Sequence, residues 1–129
     1  MKITLEQINN TISAVKKLGR MDLGSVKDNY RLMKVSDDMM EESNKYLALY
    51  LKTMEKYGTP REDGDFNVPA DSIENVYREL EEIAKIEVEL DWEPIPAKLE
   101  MLRGFTAQDM KVLDGVFITI ETEEGEGNG

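Results

Sequence analysis

The chain has no cysteine and no histidine. Without thiols it has no disulfide, no thiolate nucleophile and no thiolate metal site. Without imidazole it lacks the one side chain that titrates near neutral pH unperturbed. Ser-His-Asp triads, Cys-His dyads and His-ligated zinc are therefore excluded within one chain. No apolar run approaches the ~20 residues of a membrane span, and no membrane partner is expected. The start, Met1-Lys2-Ile3-Thr4-Leu5, enters an amphipathic pattern directly, with no apolar signal core. A cytoplasmic protein is expected. Basic residues form no stripe with interleaved aromatics; Lys16, Lys17 and Arg20 cluster at the end of the first helical pattern and complement its dipole. Direct nucleic-acid binding is not expected.

What is present is charge, unevenly divided. Residues 1–58 carry ten Lys/Arg and eight Asp/Glu, a net of +2. Residues 59–129 carry six Lys/Arg and nineteen Asp/Glu, a net of −13. A one-signed field repels nucleic acid and anionic membrane and attracts basic protein surface. At 129 residues, 40% of them hydrophobic, the chain is long enough for one core without staples. A single domain is expected over 1–120, with a disordered, acidic, Gly-rich tail over 121–129.

Helical signals dominate. Thr4 and Gln7 read as a capping box, with Ile3 and Ile8 at the positions of a hydrophobic staple. Leu5, Ile8, Ile12, Val15 and Leu18 recur at helical spacing before Gly19. Ser25 with Asp28 opens a second helix running to Tyr57-Gly58. Val26, Tyr30, Met33, Met40, Leu47, Leu51 and Met54 follow one of its faces, the expected buried stripe. Ser36-Asp37-Asp38 interrupts that stripe. The short link predicts an antiparallel hairpin of the two helices. At ~1.5 Å per residue the second helix would be ~48 Å long, longer than such a domain is wide. One end is expected to find a partner, so a homo-oligomer is predicted, with Met40, Tyr46 and Tyr50 near the interface.

Residues 59–72 read as a loop, with a turn at Asp63-Gly64 and a short strand at 66–68. Asp71 or Ser72 is expected to cap a third helix. Its apolar face comprises Ile73, Val76, Tyr77, Leu80, Ile83 and Ala84. Ile86, Val88, Leu90 and Trp92 then alternate with Glu87, Glu89, Asp91 and Glu93, a period of two that predicts a strand. One face is core; the other is a row of four carboxylates ~7 Å apart. Segment 66–68 is expected to pair with it. Pro94-Ile95-Pro96 ends the strand and a short helix over 97–103 follows. Thr106 with Asp109 opens a last helix carrying Met110, Leu113 and Phe117, with Phe105 and Met110 as a second staple. The fold class is α+β, mainly α: an N-terminal antiparallel helical hairpin with a long second helix, further helices and a small β element.

Two carboxylate groups are candidate sites. Asp63, Asp65, Asn67, Asp71 and Glu74 fall at positions 1, 3, 5, 9 and 12 of an EF-hand loop. Its sixth position needs glycine and holds Val68, which Pro69 pushes towards extended backbone. The loop is read as solvated, with weak calcium binding left open. The strand carboxylates could hold a divalent metal, but such a site needs a further ligand and a base or cationic clamp that the sequence does not supply. No enzyme activity, cofactor or metal is expected.

Several segments in order resemble small uncharacterised proteins of phages and prophages of Gram-positive bacteria. They are Glu55-Lys56-Tyr57-Gly58, Glu62-Asp63-Gly64, Arg78-Glu79-Leu80-Glu81-Glu82-Ile83, Ile86-Glu87-Val88-Glu89 and Val112-Leu113-Asp114. That group brings no established activity; it implies a viral protein acting in the cytoplasm of a bacterial host cell. The expected function is binding and inhibition of a host protein, defence or nucleic-acid-handling machinery, through a basic surface of that protein. The partner-binding residues would be Glu87, Glu89, Asp91 and Glu93, helped by Glu62, Asp63 and Asp65. A virion-assembly accessory or chaperone is the alternative, and a carboxylate-metal or small-molecule-binding protein the third reading.

Overall fold

In a computed structural model the chain is described over residues 1–121. The expected disordered tail lies outside the described residues apart from Glu121, which closes a strand. The fold is α+β and mainly α. Its elements are β1 (Lys2–Thr4), α1 (Leu5–Leu18), α2 (Val26–Tyr57), β2 (Thr59–Pro60), β3 (Phe66–Asn67), α3 (Ile73–Ala84), β4 (Glu87–Glu89), β5 (Ile95–Lys98), α4 (Ala107–Leu113) and β6 (Ile118–Glu121). Short 3-10 turns over Ala70–Ser72 and Leu99–Leu102 lead into α3 and out of β5.

The helix starts form as local chemistry dictates. The Gln7 N–H donates to Thr4 Oγ1 at 3.1 Å and the Thr4 N–H donates to Gln7 Oε1 at 2.9 Å, so two orphan amides are satisfied reciprocally. Thr106 and Asp109 repeat the exchange at 3.0 Å each way. The Asp28 N–H donates to Ser25 Oγ at 3.0 Å and starts α2. Ser72, expected as a cap, has helical backbone angles and no side-chain cap bond, because the preceding 3-10 turn already feeds α3.

The core gathers around α1. Ile8, Val15 and Leu18 from α1, Leu32, Val35 and Met39 from α2, and Leu113, Phe117 and Ile118 near the C-terminus are essentially inaccessible. α1 packs on α2 as a helical hairpin and also contacts α3 and α4. Lys17 Nζ meets Asp109 Oδ2 at 2.5 Å and ties the end of α1 to the start of α4. That ammonium, with the Thr106 N–H, holds the Asp109 carboxyl below its ordinary pKa.

Four expectations are corrected here. First, α2 buries a different row from the expected one. Its inner row is Leu32, Val35 and Met39, continued by half-buried Tyr46 and Leu49 and closed by Thr53. Of the expected row, Val26, Tyr30, Met33, Leu47 and Leu51 are exposed, Met40 is half-buried and Met54 is buried. Both rows step by three, four or seven residues, so spacing alone did not choose between them. Second, the regular strand is only β4, and it pairs antiparallel with β1, not with residues 66–68. Phe66–Asn67 instead forms a hairpin ladder with Thr59–Pro60. Leu90 and Trp92 are buried and Val88 half-buried, but Ile86 precedes the ladder and is exposed. Third, α3 buries Val76 and Ile83, while Ile73 and Tyr77 face out. Fourth, the last helix stops at Leu113; Phe117 sits beyond a turn at Gly115, whose φ of +79° favours glycine. The chain then enters β6, which runs parallel to β5 with Ile95 opposite Ile118.

Candidate interaction surface

β4 sits between Lys2–Thr4 on one edge and no strand on the other, among the described residues. Glu89 lies opposite Lys2, Val88 opposite Ile3 and Glu87 opposite Thr4. Ile3 is buried, so the Ile3–Val88 pair points inward and Glu87 and Glu89 point out. The ladder is extended by the Leu5 N–H to the Ile86 carbonyl at 2.9 Å and the Leu90 N–H to the Met1 carbonyl at 2.8 Å. Then it turns: the Trp92 N–H donates to the Leu90 carbonyl at 3.0 Å, a three-residue turn. All four carboxylates are exposed. The bend takes Asp91 and Glu93 off the ~7 Å strand repeat, so the expected straight row is a line that curves around Trp92.

Trp92 fixes that curve. It is 2% exposed, and its indole N–H donates to the Phe117 carbonyl at 3.0 Å. The Arg31 guanidinium, from α2, lies 5.5 Å from the centre of the ring. Arg31, Glu89, Asp91, Trp92 and Glu93 line an open depression of about 460 Å³. Arg31 was not singled out from the sequence; only the tertiary approach of α2 to the Trp92 turn brings it here.

Glu62, Asp63 and Asp65 are elsewhere. They lie in the β2–β3 hairpin, before α3, whereas β4 follows α3. The twelve residues of α3, about 18 Å long, lie between the two groups in the chain. The hairpin uses two of these carboxylates, Asp63 and Asp65, for its own turn. Asp63 Oδ2 pairs with Arg61 Nη2 at 2.9 Å, Asp63 Oδ1 accepts from the Asp65 N–H at 3.1 Å, and Asp65 Oδ1 accepts from the Phe66 N–H at 2.8 Å. Gly64 takes a φ of +87° at the tip. Thus the seven carboxylates divide unevenly: Asp63 and Asp65 hold the hairpin turn, Glu89 lies 3.6 Å from the Met1 ammonium, and Glu62, Glu87, Asp91 and Glu93 are in no ion pair among the described residues. Among the described residues, no three acidic side chains converge as a metal-binding cluster. No helix is long and apolar enough to cross a membrane, again among the described residues.

Of the expected oligomer-interface residues, Met40 and Tyr46 are half-buried against the core, and Tyr50 is half-buried. Tyr46 belongs to the inner row of α2, Tyr50 lies beside that row, and Met40 lies on the outer row. Near the end of the same helix, Lys56 Nζ pairs with Glu79 Oε2 at 3.1 Å and lies 5.0 Å from the Tyr57 ring centre. Bonds from Tyr57 and Lys56 lower the Glu79 pKa, and the Glu79 carboxylate raises that of Lys56. This exposed cluster clamps α3 to the end of α2.

Comparison of the chain with protein-family models, with curated proteins and with solved structures found no match.

Proposed function

We propose that this chain is a protein-binding module that engages a basic surface of another protein through Glu87, Glu89, Asp91 and Glu93. The observation that supports it is a contrast within the acidic half. The hairpin carboxylates Asp63 and Asp65 are spent on local hydrogen bonds, whereas Glu87, Asp91 and Glu93 are exposed and in no ion pair among the described residues. They curve around a buried, hydrogen-bonded Trp92, so their backbone is held in one shape before any partner arrives. Each exposed ion pair is worth only ~0.2–1 kcal/mol. A row of four acts by steering and by rejecting wrong partners.

Occlusion of a host protein's basic channel is the biological outcome that the phage resemblance suggests. The test is capture of partners from a Gram-positive host lysate by the intact chain and by a triple variant, Glu87→Lys, Glu89→Lys and Asp91→Lys. The variant should fold, since all three positions are exposed, and should lose the basic partner. Binding by the parent chain should also weaken steeply as salt shortens the screening length from about 10 Å at 0.1 M to about 3 Å at 1 M.

A further inference from the structure

The long second helix is apolar on two sides. Its inner row meets the core, as described. At 100° per residue the outer row lies roughly 150° further round the helix. Val26 is 86% exposed, Tyr30 60%, Met33 57%, Leu47 54% and Leu51 39%. Together with half-buried Met40 and with Met54, which is already buried in the fold, these residues occupy alternate steps of four and three, the spacing of a coiled-coil seam. The seam is apolar at its two ends and polar in the middle, where Asp37 and Asn44 take seam positions.

One flank of the seam carries a charge gradient. Lys27, Lys34, Glu41 and Glu55 each follow a seam residue directly, so they line up at seven-residue intervals, broken only by Ala48. The line is basic in the first half of the helix and acidic in the second. Lys27, Lys34 and Glu55 are exposed and in no ion pair among the described residues, and Glu41 has only a 3.9 Å contact with Lys45.

We infer that a second copy of this chain docks on the outer face of α2, with the two α2 helices antiparallel. An antiparallel copy lays each flank line along its own reverse, so about a dyad near Met40 Lys27 of one chain meets Glu55 of the other, twice over, while Lys34 faces Ala48 and Glu41 lies near the dyad. It also sets the Val26–Met33 block of each chain on the Leu47–Leu51 block of its partner, twice over, around a dyad near Met40. A parallel copy fails on both counts. Its flank line would face the uncharged Asn29, Ser36, Ser43 and Tyr50, and Asp37 would be pressed against its own copy. This surface is separate from the acidic strand, so either reading can fail alone.

The experiment is sedimentation equilibrium of the full chain across micromolar concentrations. The expected mass is twice the chain's 14.7 kDa. Met33→Lys with Leu47→Lys should give a folded monomer, with folding checked by circular dichroism. Two charge variants test orientation. Lys27→Glu with Lys34→Glu makes the line all acidic; Glu41→Lys with Glu55→Lys makes it largely basic. Each alone should lose the dimer at least tenfold in affinity, and an equimolar mixture should restore it as a heterodimer. A monomer at every concentration overturns the inference. So does a dimer that survives Met33→Lys with Leu47→Lys, or charge variants that dimerise alone as well as mixed.

Discussion

Leu32→Ala and Leu47→Ala make the same chemical change on the same helix, one at a buried position and one at an exposed position. Leu32 is 1% exposed in the core; Leu47 is 54% exposed on the outer row. Truncating Leu32 removes buried methyl groups and leaves a cavity among α1 and α2 side chains, a cost of about 3 kcal/mol within the usual 2–5 range. For a domain of this size, 1 kcal/mol shifts Tm by about 4 °C, so Leu32→Ala should melt about 12 °C lower. Truncating Leu47 removes no core contact, and alanine is the better helix former, so the folded monomer should change by less than about 0.5 kcal/mol. The assay is urea unfolding followed by circular dichroism at submicromolar and at high micromolar protein. Leu32→Ala should lower the midpoint equally at both concentrations. Leu47→Ala should match the parent chain when dilute and fall below it only when concentrated, because dimerisation adds stability by mass action. A dilute Leu47→Ala as unstable as Leu32→Ala would mean that the rows are assigned to the wrong faces.

Three further outcomes follow from single contacts. Gly58→Ala should cost about 1–3 kcal/mol in urea unfolding, because a Cβ there would sit 3.0 Å from the Asn67 and Met54 carbonyl oxygens, which are backbone and must shift; no loss would show that the α2 end and the hairpin are not so closely apposed. Trp92→Phe should cost about 2 kcal/mol by loss of one hydrogen bond and some packing, without a larger penalty, since the Phe117 carbonyl keeps the Ile95 N–H at 3.3 Å; an unchanged midpoint would contradict the buried indole. Asp109 has a lowered pKa in the fold, so its ionised form contributes stability that is complete above the ordinary value of 3.8 and is lost as pH falls through the lowered one. The stability gap between the parent and Asp109→Asn should therefore be constant near neutrality and shrink as the pH falls below 3.8; a gap that does not shrink would dismiss the Lys17–Asp109 contact.

Local structure was legible in the sequence where the physics is local. The Thr4/Gln7 and Thr106/Asp109 boxes, the Ser25 cap and the ends of α1 and α2 depend on residues within four positions of each other, and they stand where expected. Pairing partners were not legible. β4 has the period-two pattern, but nothing in residues 86–92 distinguishes Lys2–Thr4 from Phe66–Asn67 as its neighbour, and that choice is made by how α1 and α3 pack. β5 was hidden by Pro94 and Pro96, which read as strand breakers; in a two-stranded ladder a proline is tolerated because one edge is unpaired. The two rows of α2 share a period, so burial had to be decided by tertiary contact. The acidic residues were found by alternation, but the division between free and structural carboxylates needed the hydrogen bonds of the hairpin.

The measurement closest to the central claim is the affinity of the intact chain for its captured partner, compared with that of the Glu87→Lys, Glu89→Lys, Asp91→Lys variant at low and high salt. If these carboxylates form the working surface, the variant binds at least tenfold more weakly while keeping the parent's unfolding midpoint. The parent's own affinity also falls steeply between about 0.1 M and 1 M salt. A variant that binds with unchanged affinity, or a parent indifferent to salt, would contradict the account.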